Sequence, residues 1–114
     1  MNKSESLALA KLARQALVDK KAVNPLVLDV RKLSSVTDFY LIATGTSAPH
    51  LKALGEELNA HLRNANIARR RSSGEANSGW LVVDCGLIVV HLFLPHTREY
   101  YALEELWNDA PRVD

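Results

Sequence analysis

Leu87-Ile88-Val89-Val90-His91-Leu92-Phe93-Leu94 is apolar at seven of its eight positions. A strand with one wet face alternates apolar and polar residues, whereas a run apolar on both sides needs cover on both faces, so this stretch predicts a central strand beneath helices. Immediately upstream, Trp80-Leu81-Val82-Val83-Asp84 is a second strand, and the short Cys85-Gly86 link makes the two a hairpin. Pro95 ends the central strand because it cannot donate to a ladder.

Working toward the N-terminus, the polar stretch Ser72-Ser73-Gly74-Glu75-Ala76-Asn77-Ser78-Gly79 predicts a flexible connection. Ile67 to Arg71 predicts an edge strand, since three successive arginines resist burial and discourage unwanted pairing. Before it, Leu51, Leu54, Leu58 and Leu62 form one stripe of a helix capped by Ser47, with Pro49 in its first turn. Phe39 to Ala43 and Leu26 to Val30 are two further strands, separated by the turn residues Ser34, Ser35 and Asp38. A first amphipathic helix carries Leu9, Leu12, Ala13, Ala16 and Leu17, with Ser4 as its cap and Asn24-Pro25 as its stop.

Downstream of Pro95, Thr97 is the expected cap of a last helix whose apolar side is Tyr100, Leu103, Leu106 and Trp107. Residues 108–114 then form a polar tail. The sum is one α/β domain over residues 1–114, a mixed five-stranded sheet with helices packed on it.

Composition narrows the function classes. With 114 residues, 47% of them hydrophobic, the chain has material for one core. Fourteen basic against thirteen acidic side chains leave a net charge of +1, so nothing in the total favours bulk attraction to nucleic acid or membrane. The single cysteine excludes an internal disulfide, and the early Glu5 and short apolar runs predict no secretion signal or membrane span, hence a cytoplasmic chain.

Signals for catalysis are sparse. Gly45-Thr46-Ser47, between a strand and a helix, resembles a phosphate-holding turn, but no Asp-x-Asp pair follows to hold metal ions, and helix capping accounts for it. His50, His61, His91 and His96 lack metal-ligand spacing, and His91 inside an apolar strand suits a structural role. A Cys85 nucleophile activated by His91 would need the two to converge in space. Asp29, Asp38 and Asp84 lie near strand ends and are explained by turn capping. No cofactor or metal is expected. A nucleotidyltransferase-like enzyme using Gly45, Ser47 and Asp29 or Asp84 stays as one alternative, and an RNA-binding module using Arg69 to Arg71 as another.

An interface is better supported. Trp80, Tyr100, Tyr101 and Trp107 all fall in the last third of the chain, and rings of this kind anchor protein contacts. Glu99, Glu104, Glu105 and Asp109 accompany them, giving an acidic aromatic surface suited to a basic partner.

Several stretches together resemble the ribosomal silencing factors, also called the Iojap-like family. They are Val27 to Val30, Leu33 to Asp38, Ile42 to Ser47 with His50, Trp80 to Asp84, Val89 to His91, and Arg98 to Trp107. The resemblance implies a nucleotidyltransferase-like topology without the catalytic carboxylates. It further implies a non-catalytic translation repressor that binds the large ribosomal subunit through its fourteenth protein and blocks joining with the small subunit. Homodimers belong to the same expectation, and the basic cluster of Arg63 and Arg69 to Arg71 adds a peripheral ribosomal RNA contact. The resemblance marks Trp80, Arg98, Tyr101 and Glu104, and with Tyr100 and Asp84 these are the expected partner-binding residues. This chain departs from the family's pattern at Ser73 and Leu87, where acids are usual, and at Asn24-Pro25, where Asp-Ile is common.

Overall fold

In the computed structural model the described residues are 3–67 and 70–113. The chain runs α1 (Lys3–Asp19), β1 (Val23–Asp29), β2 (Phe39–Thr44), α2 (Ala48–Asn64), β3 (Arg71–Glu75), a 3₁₀ turn (Ala76–Ser78), β4 (Trp80–Asp84), β5 (Ile88–Phe93), α3 (Pro95–Tyr101), α4 (Leu103–Leu106) and β6 (Arg112–Val113). Among the described residues the strands form one six-stranded sheet in the order β3-β4-β5-β2-β1-β6. Only β2 and β5 run parallel, and the other pairs are antiparallel, so the sheet is mixed.

Strand β5 lies between β4 and β2, as its two-sided apolar run requires. Ile88, Val90 and Leu92 face α1 and α2, which contribute Leu9, Ala13 and Leu17 and the stripe Leu51, Leu54, Leu58 and Leu62. All four leucines of that stripe are fully buried. Helix α2 starts as its sequence dictates, with the Ser47 hydroxyl accepting from the His50 N–H at 3.2 Å. A second, smaller cluster of Leu28, Val30, Ile42, Phe93 and Ala110 lies on the other face of the sheet.

Four local expectations change. Helix α1 already includes Ser4, and it ends at Asp19 through Lys21 at φ +63°, well before Asn24-Pro25. Asn24 takes φ +50° and Pro25 sits inside β1, where the register slips between Val23 and Leu26. Such an irregularity tolerates a residue with no N–H to donate.

The edge strand expected over Ile67 to Arg71 includes Ala68 and Arg69, which lie outside the described residues; the observed β3 begins only at Arg71 and continues through the supposed loop to Glu75. Every β3 side chain is exposed, so the strand is held by backbone pairing with β4 and leaves no apolar alternation to detect.

Thr97 does not cap the last helix. It is buried inside α3, which begins at Pro95, a residue whose fixed φ suits a helix start. The helix then breaks at Ala102, at φ 47° and ψ 47°, before α4. A left-handed alanine costs about 1–2 kcal/mol. Turning the chain there lets Leu103 and Trp107 pack on the sheet. Finally, the tail is not free: Arg112 and Val113 pair with Leu28 and Val27 as the sixth strand, and Ala110 is buried.

Candidate functional site

The α1–α2 layer covers one side of the sheet, and period-two alternation assigns the side chains of the other. Register places Trp80, Val82 and Asp84 of β4 beside Phe93, His91 and Val89 of β5. On the far side of β5, Ile42 and Tyr40 of β2 stand next to His91 and Val89. Helices α3 and α4 close over part of this face. Tyr101 lies on Trp80 with ring centroids 4.5 Å apart, and Trp107 lies on Tyr40 at 5.2 Å.

The rings form a connected layer. Trp80 also meets Phe93 at 5.2 Å and His91 at 5.9 Å, while His91 meets Tyr40 at 5.6 Å. Tyr100 stands edge-on to Tyr101, 5.1 Å away at 87°. Contacts of this kind are each worth about 0.5–1.5 kcal/mol beyond area burial, so the layer is preorganised. Its outer rim is open: Tyr100 is 81% exposed and Tyr101 46%, and Trp80 is half-buried.

One polar bond runs through the layer. The Trp80 indole N–H donates to His91 Nδ1 at 3.1 Å. Burial pushes the His91 pKa down to about 4 from 6.5, against the opposing pull of the Asp84 charge. A neutral imidazole is what an accepting Nδ1 requires. Tyr40 is raised for the same two reasons in concert, burial first and then Asp84.

Three of the six expected partner-binding residues, Trp80, Tyr100 and Tyr101, come together on the open rim. Asp84 lies on the same face at the other end of β4, where its Oδ1 accepts from the Gly86 N–H at 2.8 Å and shapes the hairpin turn. Arg98 turns inward from α3. Its Nη1 donates to the Asn24 carbonyl and the Thr44 hydroxyl, each at 2.9 Å, and its Nε pairs with Glu104 Oε1 at 3.4 Å. These two charges tie α3–α4 to the ends of β1 and β2. Sequence reasoning missed Tyr40 as a member of the face and gave His91 no role there. The single half-buried position in each of the otherwise buried strands β2 and β5, Tyr40 and His91, is the mark of both on this face, and neither strand's composition alternates to show it.

The catalytic alternatives fare differently. Asp29 is held by Arg31 through bonds of 2.9 and 2.6 Å, and that guanidinium keeps its carboxyl below the usual range. Asp29 pairs with Phe39 at the start of β2, and Asp84 with Val89, the neighbour of Tyr40. Gly45 and Ser47 follow the opposite end of β2, so at least ~16 Å of strand separates them from either carboxylate. The Thr46 N–H is already donated to His50 Nδ1 at 2.9 Å. Cys85 belongs to the helix-side core, on the face away from His91, and its thiol is pushed up to about 11, chiefly by burial. Among the described residues no group of three or more His, Cys, Asp or Glu is placed to hold a metal ion, and no helix is long and apolar enough to cross a membrane. In the basic run, Arg71 is exposed, Arg70 donates to the Ile67 carbonyl at 3.2 Å, and Arg69 lies outside the described residues.

The fold and sequence have close counterparts. A family profile described as "Ribosomal silencing factor during starvation" matches residues 3–114. The chain belongs to the ribosomal silencing factor family. It is similar to Ribosomal silencing factor RsfS of Halalkalibacterium halodurans, 38% identical over 106 residues, which cover 93% of this chain and 91% of that one. It is similar as well to "Mitochondrial assembly of ribosomal large subunit protein 1" of Mus musculus, 38% identical over 85 residues covering 72% of this chain and 37% of the mouse protein. The crystal structure of a Chromobacterium violaceum protein superimposes with a TM-score of 0.86 at 37% identity, covering 95% of this chain and 88% of that one. The mixed sheet with packed helices is thus the architecture of this family, whose name denotes a regulator of ribosomes.

Proposed function

We propose that this protein represses translation by docking the open aromatic face onto the large ribosomal subunit, through its fourteenth protein, so that the small subunit cannot join. The observation that carries the reading is the cluster of Trp80, Tyr101 and Tyr100, packed ring against ring yet still reachable from solvent. Rings already fixed by packing lose little entropy on binding, which is what an anchor needs. Glu99, next to Tyr100 in the chain, is exposed, as is Glu105 of α4, in keeping with a basic partner. Family membership supports a ribosomal target, and the mouse relative's name refers to the large subunit.

The test is reassociation of purified ribosomal subunits followed by light scattering, with increasing amounts of protein. Wild-type protein prevents association, and Trp80→Ala weakens the effect by more than ~1 kcal/mol, about fivefold or greater in half-effective concentration. Thermal unfolding measured alongside shows that the variant is folded. Full potency in a folded Trp80→Ala protein contradicts docking through this face.

A further inference from the structure

An indole N–H can only donate, and at a half-buried position it needs an acceptor. The Trp80 N–H finds one on the next strand, at His91 Nδ1, 3.1 Å away. His91 is itself closely held. Val82 and Ile42 flank it as cross-strand neighbours, and its ring lies nearly parallel to Phe93, 9° between planes at 6.1 Å. Tyr40 closes another side at 5.6 Å, and Asp84 is the charged group whose field reaches it. Among the described residues, its other nitrogen, Nε2, makes no hydrogen bond within the chain.

The torsion that turns an indole about its Cβ–Cγ bond is soft and roughly two-fold. A half-turn would keep the ring in its plane while carrying its N–H edge away from His91 Nδ1. Tilted contacts with Tyr101 and Phe93, 43° and 33° between ring planes, hold the plane of the ring more than its sense. The bond to His91 selects one of the two senses.

We propose that His91 is a positioning residue for docking, holding the Trp80 indole in the single orientation that a binding partner meets. The inference rests on the docking role proposed above for Trp80. His91 acts through Trp80 and needs no contact of its own with the partner. Asparagine at this position places an amide oxygen near where Nδ1 stands and can accept the same proton, whereas leucine fills the space and accepts nothing.

Binding to purified large subunits, measured by co-sedimentation, tests this with His91→Leu, His91→Asn, Trp80→Phe and the double variant Trp80→Phe/His91→Leu. His91→Leu is expected to bind about fivefold more weakly, the scale of one net hydrogen bond. His91→Asn restores most of the affinity, and Trp80→Phe, which keeps a ring but has no N–H, loses a similar factor. In the Trp80→Phe background, His91→Leu causes no further loss. The Trp80 indole proton resonance, assigned with Trp107→Phe, moves in His91→Leu and returns toward its wild-type position in His91→Asn. A merely structural histidine would alter the melting temperature without this pattern.

Wild-type affinity in His91→Leu, or an undiminished loss in the Trp80→Phe background, overturns the assignment. Should His91→Leu fail to fold, full affinity in Trp80→Phe alone does the same. Wild-type binding by Trp80→Ala instead removes the docking reading itself, so the two failures are told apart.

Discussion

Acidification should destabilise this protein in a window set by one side chain. In the folded chain His91 titrates at about 4, against an ordinary 6.5, because burial disfavours its charged form. Well above pH 6.5 neither folded nor unfolded chains carry the proton, and the effect is absent. Between 6.5 and about 4 the unfolded chain takes up a proton that the folded chain refuses, so stability falls as pH drops, and below about 4 the loss levels off. At ~1.36 kcal/mol per pH unit the ceiling is about 3 kcal/mol. Residual solvent contact at His91 reduces this, and about 2 kcal/mol is expected, a sizeable share of the ~5–15 kcal/mol typical of a domain. Urea unfolding at pH 7, 5.5 and 4.5 should show wild type losing about 2 kcal/mol more than His91→Asn, which keeps an acceptor for Trp80 but cannot titrate. Asp29 does not confuse the comparison. Its carboxyl is held low by Arg31, so its contribution is present above 3.8 and is lost only as pH falls through its lowered value. Parallel pH profiles for the two proteins would refute the account of a desolvated, uncharged His91.

Two further substitutions probe how the site is held. Gly45→Ala places a Cβ 3.0 Å from the Leu51 nitrogen and 3.1 Å from its Cα, so α2 must shift from the end of β2; a loss of about 1–3 kcal/mol is expected in urea unfolding. Arg98→Ala removes the bonds to Asn24, Thr44 and Glu104 and should cost roughly 2 kcal/mol of stability, with Arg98→Lys recovering only part because its single ammonium cannot reproduce the fork. An Arg98→Ala protein as stable as wild type would show that this contact does not hold α3 in place.

Much of the fold was legible because its determinants are local. The leucine stripe of α2 and its Ser47 cap lie within one helix, and the apolar run of β5 needed only its own composition to mark a central strand covered on both faces. The aromatic cluster of the last third was visible too, and Trp80, Tyr100 and Tyr101 do meet on an accessible rim. Arg98 and Glu104 were visible only as charges. Whether they point outward or brace the helix depends on the carbonyl of Asn24, seventy-four residues earlier in the chain.

The amino-acid sequence alone determined that an α/β sheet protein forms, that β5 is a central strand, and which family the chain resembles, because periodicity, caps and local motifs act over a few residues. Tertiary structure decided the rest: that an all-polar segment becomes the edge strand β3, that the tail becomes β6, that the last helix breaks at Ala102, and that Trp80 is fastened to His91. Each of these depends on backbone pairing or packing between separate elements, and the energy of such contacts is written in no single stretch of residues.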